Sequence, residues 1–246
     1  MIQSDHPIIG IVGGMGPQAT IDFYQKILNL TPAQKDQEHL HVIINSYPQI
    51  PDRTAALLGQ GPSPVPYLLE AVRVLVTAGA SVIAVPCNTA HAFLPQIREA
   101  TDVEILDMIS AVGEHIRQHH STPNPVGLLA TAGTCTTGLY QRILESQGLP
   151  VIAPDQETLD TLVMPAIHLI KSGEHLLQAK QHLIAAADRL IAQGAGVIIA
   201  GCTEIPIVLT RTDITVPLVD ATTVLAQRVV DYALLYHPAA AHAHSN

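Results

Sequence analysis

Short apolar, β-branched runs alternate along the chain with longer stretches of helical period. The runs "PIIGIVGG" (7–14), "HVIINSY" (41–47) and "SVIAV" (81–85) have the length and composition of buried strands. Between them, "QATIDFYQKILNL" (18–30) and "PYLLEAVRVLVTAG" (66–79) place apolar residues every three or four positions, and a further helix is expected through Ile97. Strands separated by helices of this size predict a mostly parallel sheet with right-handed crossovers, so the fold class is α/β.

After the turn-rich "QHHSTPNP" (118–125) the plan starts again: "VGLLATAGT" (126–134), a helix "TGLYQRILESQG" (137–148), "PVIAP" (150–154), a longer helix through Ala195, and "GVIIAGCTE" (196–204). When "AGASVIAVPCNT" (78–89) is laid on "QGAGVIIAGCTE" (193–204), Gly79 meets Gly194, Ala80 meets Ala195, Val82 meets Val197, Ile83 meets Ile198 and Cys87 meets Cys202. Each copy is followed by a strand ending in Asp and then a helix, "EILDMISAVGEHI" (104–116) and "VPLVDATTVLAQRV" (216–229). Two copies are too few for a solenoid. The expected architecture is two similar lobes related by pseudo-twofold symmetry, facing each other across a cleft. Residues 1–105 form the first lobe, completed by 215–236, and 106–214 form the second, with 237–246 a tail.

Composition narrows the function. The chain of 246 residues is 48% hydrophobic and 13% charged, and its apolar runs are too short to span a bilayer, so no membrane partner is expected. A net charge of −9 is the wrong sign for holding a phosphate polymer, and the absence of Trp removes stacking platforms, so no nucleic-acid partner is expected either. The N-terminal segment has no basic region before its apolar stretch and does not read as a signal peptide, which predicts a cytoplasmic protein. Three widely spaced cysteines, Cys87, Cys135 and Cys202, imply no disulfide framework. The histidines of the tail have no Cys or carboxylate partner at the ligand spacing of a metal site, and no metal is expected there or at His39 and His41, which alternate on an apparent strand.

Cys87 and Cys202 each end a strand just before an expected helix start. Ligands of such sheets bind beyond the carboxyl ends of the strands, and a helix N-terminus favours a thiolate there. Moving a thiol from its usual pKa of about 8.5 to near 7 takes roughly 2 kcal/mol. A single buried cysteine is commonly a small hydrophobe. Two at matched positions in duplicated halves, flanked by the polar "CNT" and "CTE", instead suit stereochemical inversion. One thiolate removes a proton from a carbon while the opposing thiol delivers another to the far face. Cys135, in "TAGTCTTG", has no counterpart in the other half and is read as packing.

The motifs "GIVGGMGPQATIDFYQKI", "PQIPDRT", "PCNTAHAF", "GLLATAGT" and "AGCTEI", in order between Ile8 and Val230, together resemble the cofactor-independent aspartate/glutamate racemases, most closely the aspartate racemases. The resemblance implies an amino-acid substrate taken up between two α/β lobes, a homodimer, and a two-base mechanism without pyridoxal phosphate, metal or nucleotide. It implies that Cys87 and Cys202 are the paired acid and base. It further implies that Arg53 and Lys171 hold the substrate's side-chain carboxylate, that Asn88, Thr89, Thr131 and Thr203 surround the α-carboxylate, and that Met15 borders the substrate. Arg can grip a carboxylate through two parallel hydrogen bonds, Lys adds a point charge, and donors aimed at developing negative charge lower the barrier. The basic pair tilts the expectation toward aspartate, with glutamate second. The loop "GGMGPQAT" lacks both phosphate-binding spacings.

The rival readings keep the scaffold. Related cysteine enzymes isomerise maleate, decarboxylate arylmalonates or racemise hydantoins. A dicarboxylate-binding protein could use the same cleft without chemistry. A cysteine hydrolase would pair Cys87 with His91 as base.

Overall fold

The structure, a computed structural model, describes residues 7–120 and 124–235; the tail expected at 237–246 lies outside them. In chain order the first half comprises β1 (Ile8–Gly13), α1 (Pro17–Leu30), β2 (His41–Ser46), α2 (Arg53–Leu57), α3 (Val65–Thr77), β3 (Val82–Ala84), a 3-10 turn (Thr89–Phe93), α4 (Leu94–Arg98), β4 (Glu104–Ile105) and α5 (Met108–His119). The second half comprises β5 (Val126–Ala130), α6 (Ala132–Thr136), α7 (Leu139–Glu145), β6 (Val151–Ile152), α8 (Gln156–Thr158), a π-helical turn (Leu159–Val163), α9 (Met164–Ser172), α10 (Leu176–Ala192), β7 (Val197–Gly201), α11 (Ile205–Val208), β8 (Leu218–Asp220) and α12 (Ala221–Leu235). The strands form two parallel four-stranded sheets of matching order, β2-β1-β3-β4 and β6-β5-β7-β8. This is the α/β, two-lobe architecture the alternation predicts.

The central strands are apolar throughout because both faces of each sheet are covered. Ile9, Ile11, Val82 and Ala84 of the first sheet and Val126, Leu128, Val197 and Ile199 of the second turn inward onto one shared core. Phe23 and Ile27 of α1, Met108 and Ile116 of α5, Tyr140 and Leu144 of α7, and Val229 of α12 fill that core between the sheets. Alternate residues face outward into separate cores: Ile83 and Val85 against Leu68 and Leu75 of α3, and Leu129 and Ile198 against Ala166 of α9 and Leu183 of α10. The two lobes are thus fused along a common interior, which fixes their relative placement.

Two sequence expectations are corrected. The segment 215–236 does not belong wholly to the first lobe. β8 pairs with β7 (Ile198↔Leu218, Ile199↔Val219, Ala200↔Asp220), so the strand stays in the second sheet and only α12 reaches back to lie against α1. In the same way α5, which follows β4 of the first sheet, packs on α7 of the second lobe and on α12. Second, the long helix expected through Ala195 is two helices. Gly173 turns into the left-handed region at φ 73° and closes α9, His175 follows at φ 48°, and α10 starts afresh at Leu176.

Asp107 and Asp220, the Asp residues that end the duplicated strands, anchor the helices behind them. Asp107 accepts from the backbone N–H groups of Ile109 and Ser110, and Asp220 accepts from the N–H of Thr222. Asp220 also pairs with Lys26 of α1 at 2.7 Å, tying the end of β8 to the first lobe. Among the described residues, no helix is long and apolar enough to cross a membrane.

Candidate active site

The carboxyl ends of the four central strands point at one place. Gly14 and Met15 follow β1, Cys87 follows β3, Thr131 follows β5 and Cys202 follows β7. Gly14 makes the turn after β1 at φ 90°, where a Cβ would lie 2.4 Å from the backbone nitrogen of Tyr47. Around these ends is a small cavity lined by Met15, Asp52, Arg53, Thr54, Cys87, Asn88, Thr89, Thr131, Lys171, Cys202, Thr203 and Glu204. All nine residues singled out in the sequence line it: Cys87, Cys202, Arg53, Lys171, Asn88, Thr89, Thr131, Thr203 and Met15. A larger cavity adjoins it across Met15, Asp52, Arg53, Lys171 and Glu204.

Each lobe supplies one thiol, and both cysteines are buried at the wall, Cys87 at 6% and Cys202 at 5% exposure. Behind Cys87, His91 Nε2 accepts from the backbone N–H of Met108, so its proton sits on Nδ1 and is donated to the Cys87 carbonyl at 2.9 Å. Burial holds the His91 pKa below the ordinary value, against the raising effect of nearby Asp107. With both nitrogens committed to backbone, His91 is a brace and not a base for Cys87, which removes the hydrolase arrangement.

Cys202 departs from expectation. Burial raises its thiol pKa well above the usual range, and the Glu204 carboxylate adds to this by charge and by accepting the Sγ–H at 3.0 Å. The helices after the two cysteines are a 3-10 turn of 5 residues and a helix of 4 residues, too short to contribute the thiolate stabilisation expected of them. Cys135 packs against both cores, and its thiol pKa is pushed up to about 12 by burial, as suits the packing role read for it.

Arg53 opens α2, whose N-cap Asp52 accepts from the Ala55 N–H at 2.7 Å. Arg53 is 9% exposed, and its guanidinium donates to the carbonyls of Ile50 and Pro51, each at 3.1 Å, and to that of Met15 at 3.4 Å. Its Nε has no partner. Lys171, from the last turn of α9, approaches from the opposite lobe and is exposed to both cavities. Asn88 also holds a donor in reserve. Its Oδ1 accepts from the hydroxyl of Tyr140 at 2.6 Å, which turns the amide so that Nδ2, buried and unpartnered, remains available. Buried donors without partners are uncommon, and both of these belong to residues that line the cavity.

Thr89 Oγ1 lies 3.0 Å from the hydroxyls of both Thr131 and Thr134, joining the lobes through a triangle of hydroxyls. The Thr203 hydroxyl donates to Glu204 at 3.0 Å, so its proton is spent on that carboxylate and not directed into the cavity. Glu204, Thr134 and Tyr140 were missed by the sequence reading. Glu204 alone left a signal, a carboxylate in "GCTEIP" three residues past the end of an entirely buried strand.

Paired α/β lobes with one thiol each at a shared cavity fit an isomerase of the racemase type. Residues 12–229 match the family model described as Asp/Glu/Hydantoin racemase, and the chain belongs to that family. Its fold is similar to Picrophilus torridus aspartate racemase at TM-score 0.82 and 28% identity, covering 92% of this chain and 94% of that one. It is also similar to an aspartate racemase homologue from Pyrococcus horikoshii OT3, at TM-score 0.73 and 25% identity over 92% of this chain and 98% of that one. Among curated relatives, the broad specificity amino-acid racemase RacX of Bacillus subtilis is 30% identical over 162 residues, 63% of this chain and 69% of that protein.

Proposed function

We propose that the protein interconverts L- and D-aspartate by a two-base mechanism. The observation that carries this is the convergence of the paired thiols of the two halves on one small cavity that also holds the buried Arg53. The substrate's side-chain carboxylate is met by Arg53 Nε and the ammonium of Lys171. Its α-carboxylate is met by Asn88 Nδ2 and the hydroxyls of Thr89 and Thr131, with Met15 closing the apolar side. One cysteine as thiolate takes the Cα proton, breaking C–H and forming S–H. The electron pair left on Cα then takes the proton of the opposing thiol on the other face, and the configuration is inverted. Negative charge that develops on the α-carboxylate meets donors already in place, which lowers the barrier without reorganisation. The chain acts as a homodimer in the cytoplasm and needs no added cofactor.

The test is Cα deuterium incorporation and loss of optical rotation on L-aspartate in heavy water. Replacement of either cysteine, Cys87→Ser or Cys202→Ser, is expected to lower racemisation about 10²- to 10⁴-fold. A serine variant that racemises at the parent rate overturns the mechanism. Inversion of glutamate alone, or tight binding without exchange, overturns the aspartate assignment or the catalytic one. The likeness to the broad specificity racemase of Bacillus subtilis favours a second reading, a wider substrate range, and a panel of apolar and basic amino acids in the same assay decides it.

A further inference from the structure

The two halves of the site are matched in the position of sulfur but not in charge. In the alignment of the halves, Cys87-Asn88-Thr89 corresponds to Cys202-Thr203-Glu204. At the third position the first half has a neutral hydroxyl, bonded to Thr131 and Thr134, and the second has a carboxylate 4% exposed. One oxygen of that carboxylate, Oε2, accepts from both the Cys202 Sγ and the Thr203 hydroxyl at 3.0 Å, so Thr203 holds it in line with the thiol. A thiolate at Cys202 would lose this hydrogen bond and stand beside a negative charge at low dielectric, where such repulsion is strong.

Resting on the two-base reading, we propose that Glu204 locks the proton onto Cys202, so that the free enzyme holds Cys202 as the acid and leaves Cys87 to act as the base. Glu204 acts through Cys202 and is a positioning residue. The other charged and titratable groups facing Cys202 are Lys171 from α9, Arg53 and Asp52 at the start of α2, Cys87 across the cavity, and Tyr140 behind it. Lys171 works against Glu204 by favouring the thiolate, but Glu204 is in direct hydrogen-bond contact and prevails. In the turnover from this resting form, the Cα–H proton passes to Cys87 and the Cys202 proton passes to the opposite face. The product then leaves a Cys202 thiolate beside Glu204, a form driven to take a proton back from solvent. The pseudo-symmetric pair therefore has a preferred starting state.

The experiment titrates Cys202 directly. With Cys87→Ser and Cys135→Ser, Cys202 is the remaining cysteine of the three. Its rate of alkylation by iodoacetamide is followed against pH by mass spectrometry, with Glu204, Gln or Asp at position 204. Glu204→Gln is expected to move the midpoint to lower pH and to speed alkylation about tenfold or more at pH 8. Glu204→Asp keeps the charge and stays near the parent. In the protein with all cysteines present, Glu204→Gln is expected to move the alkaline limb of kcat/KM to lower pH, which a merely structural role would leave in place. An unchanged midpoint in Glu204→Gln, or an equal shift in Glu204→Asp, overturns the proposal. If Glu204→Gln does not fold, Glu204→Thr, which copies the first half, carries the same comparison. A shifted midpoint in a protein that does not racemise would leave Glu204 in control of the Cys202 proton and remove the two-base reading instead.

Discussion

The close approach of the lobes beside Arg53 makes Gly133→Ala an informative perturbation. Gly133 lies in α6 of the second lobe, and a Cβ there would come 2.9 Å from the Thr54 Cα, 3.1 Å from its Oγ1 and 3.2 Å from its Cβ. Thr54 is the second residue of α2, directly after Arg53. Ordinary carbon–carbon contact is about 3.5–4.0 Å, so α2 must retreat by about 0.6–1.1 Å, since the obstacle is backbone and cannot rotate away. Overpacking costs about 1–3 kcal/mol. Gly133 is not among the positive-φ glycines, so alanine also gains about 1 kcal/mol of helix propensity, and the net loss of stability stays small. The displacement of Arg53 is a different matter. A hydrogen bond to a charged group is worth about 1.5–3 kcal/mol, so losing the Arg53 grip is expected to lower kcat/KM for aspartate about 10- to 150-fold, mostly through KM. Steady-state polarimetry on Gly133→Ala, Arg53→Ala and the double variant measures it. Because both single changes remove the same contact, the double variant should be little worse than Arg53→Ala. Fully additive losses, or a Gly133→Ala enzyme with the parent KM, refute the argument.

Two further outcomes follow from the buried hydrogen bonds. Tyr140→Phe leaves Asn88 Oδ1 without its donor and frees the amide to turn. It is expected to cost about 1–3 kcal/mol of stability and to raise KM for aspartate, as read by urea melts and kinetics. His91 is buried with a lowered pKa, so below the ordinary value of 6.5 the unfolded chain binds a proton the folded chain refuses. Its contribution is therefore intact above pH 6.5 and is lost as pH falls toward the depressed folded value. Denaturant melts of His91→Gln should show lower stability at pH 7.5 but a shallower decline on acidification than the parent, and parallel declines would exclude His91 as the source.

Much of this arrangement is legible in the chain because local pattern and site chemistry coincide. β-branched runs such as Val82–Ala84 and Val197–Gly201 can be strands only if both faces are covered, and the residues after each must then line the cleft. The matched cysteines followed from that register alone, whereas the placement of Arg53 came through motif resemblance. What escaped depends on distant partners. The pairing of β8 with β7 is a long-range choice that its short sequence does not encode, and the break at Gly173 is hidden because apolar period continues on both sides of it. Glu204 escaped because a carboxylate beside a strand end usually faces solvent, and only the three-dimensional packing turns it onto a sulfur. Tyr140 is a core aromatic whose hydroxyl reaches across to Asn88 of the other half, a contact no local pattern encodes.

The crossed placement of the two closing helices makes the halves interdependent. α5 follows the first sheet yet packs on the second lobe's α7, while α12 follows the second sheet yet lies on α1. Each half therefore relies on the other's closing helix to cover part of its inner face, and neither is expected to stay folded when the chain is cut between them.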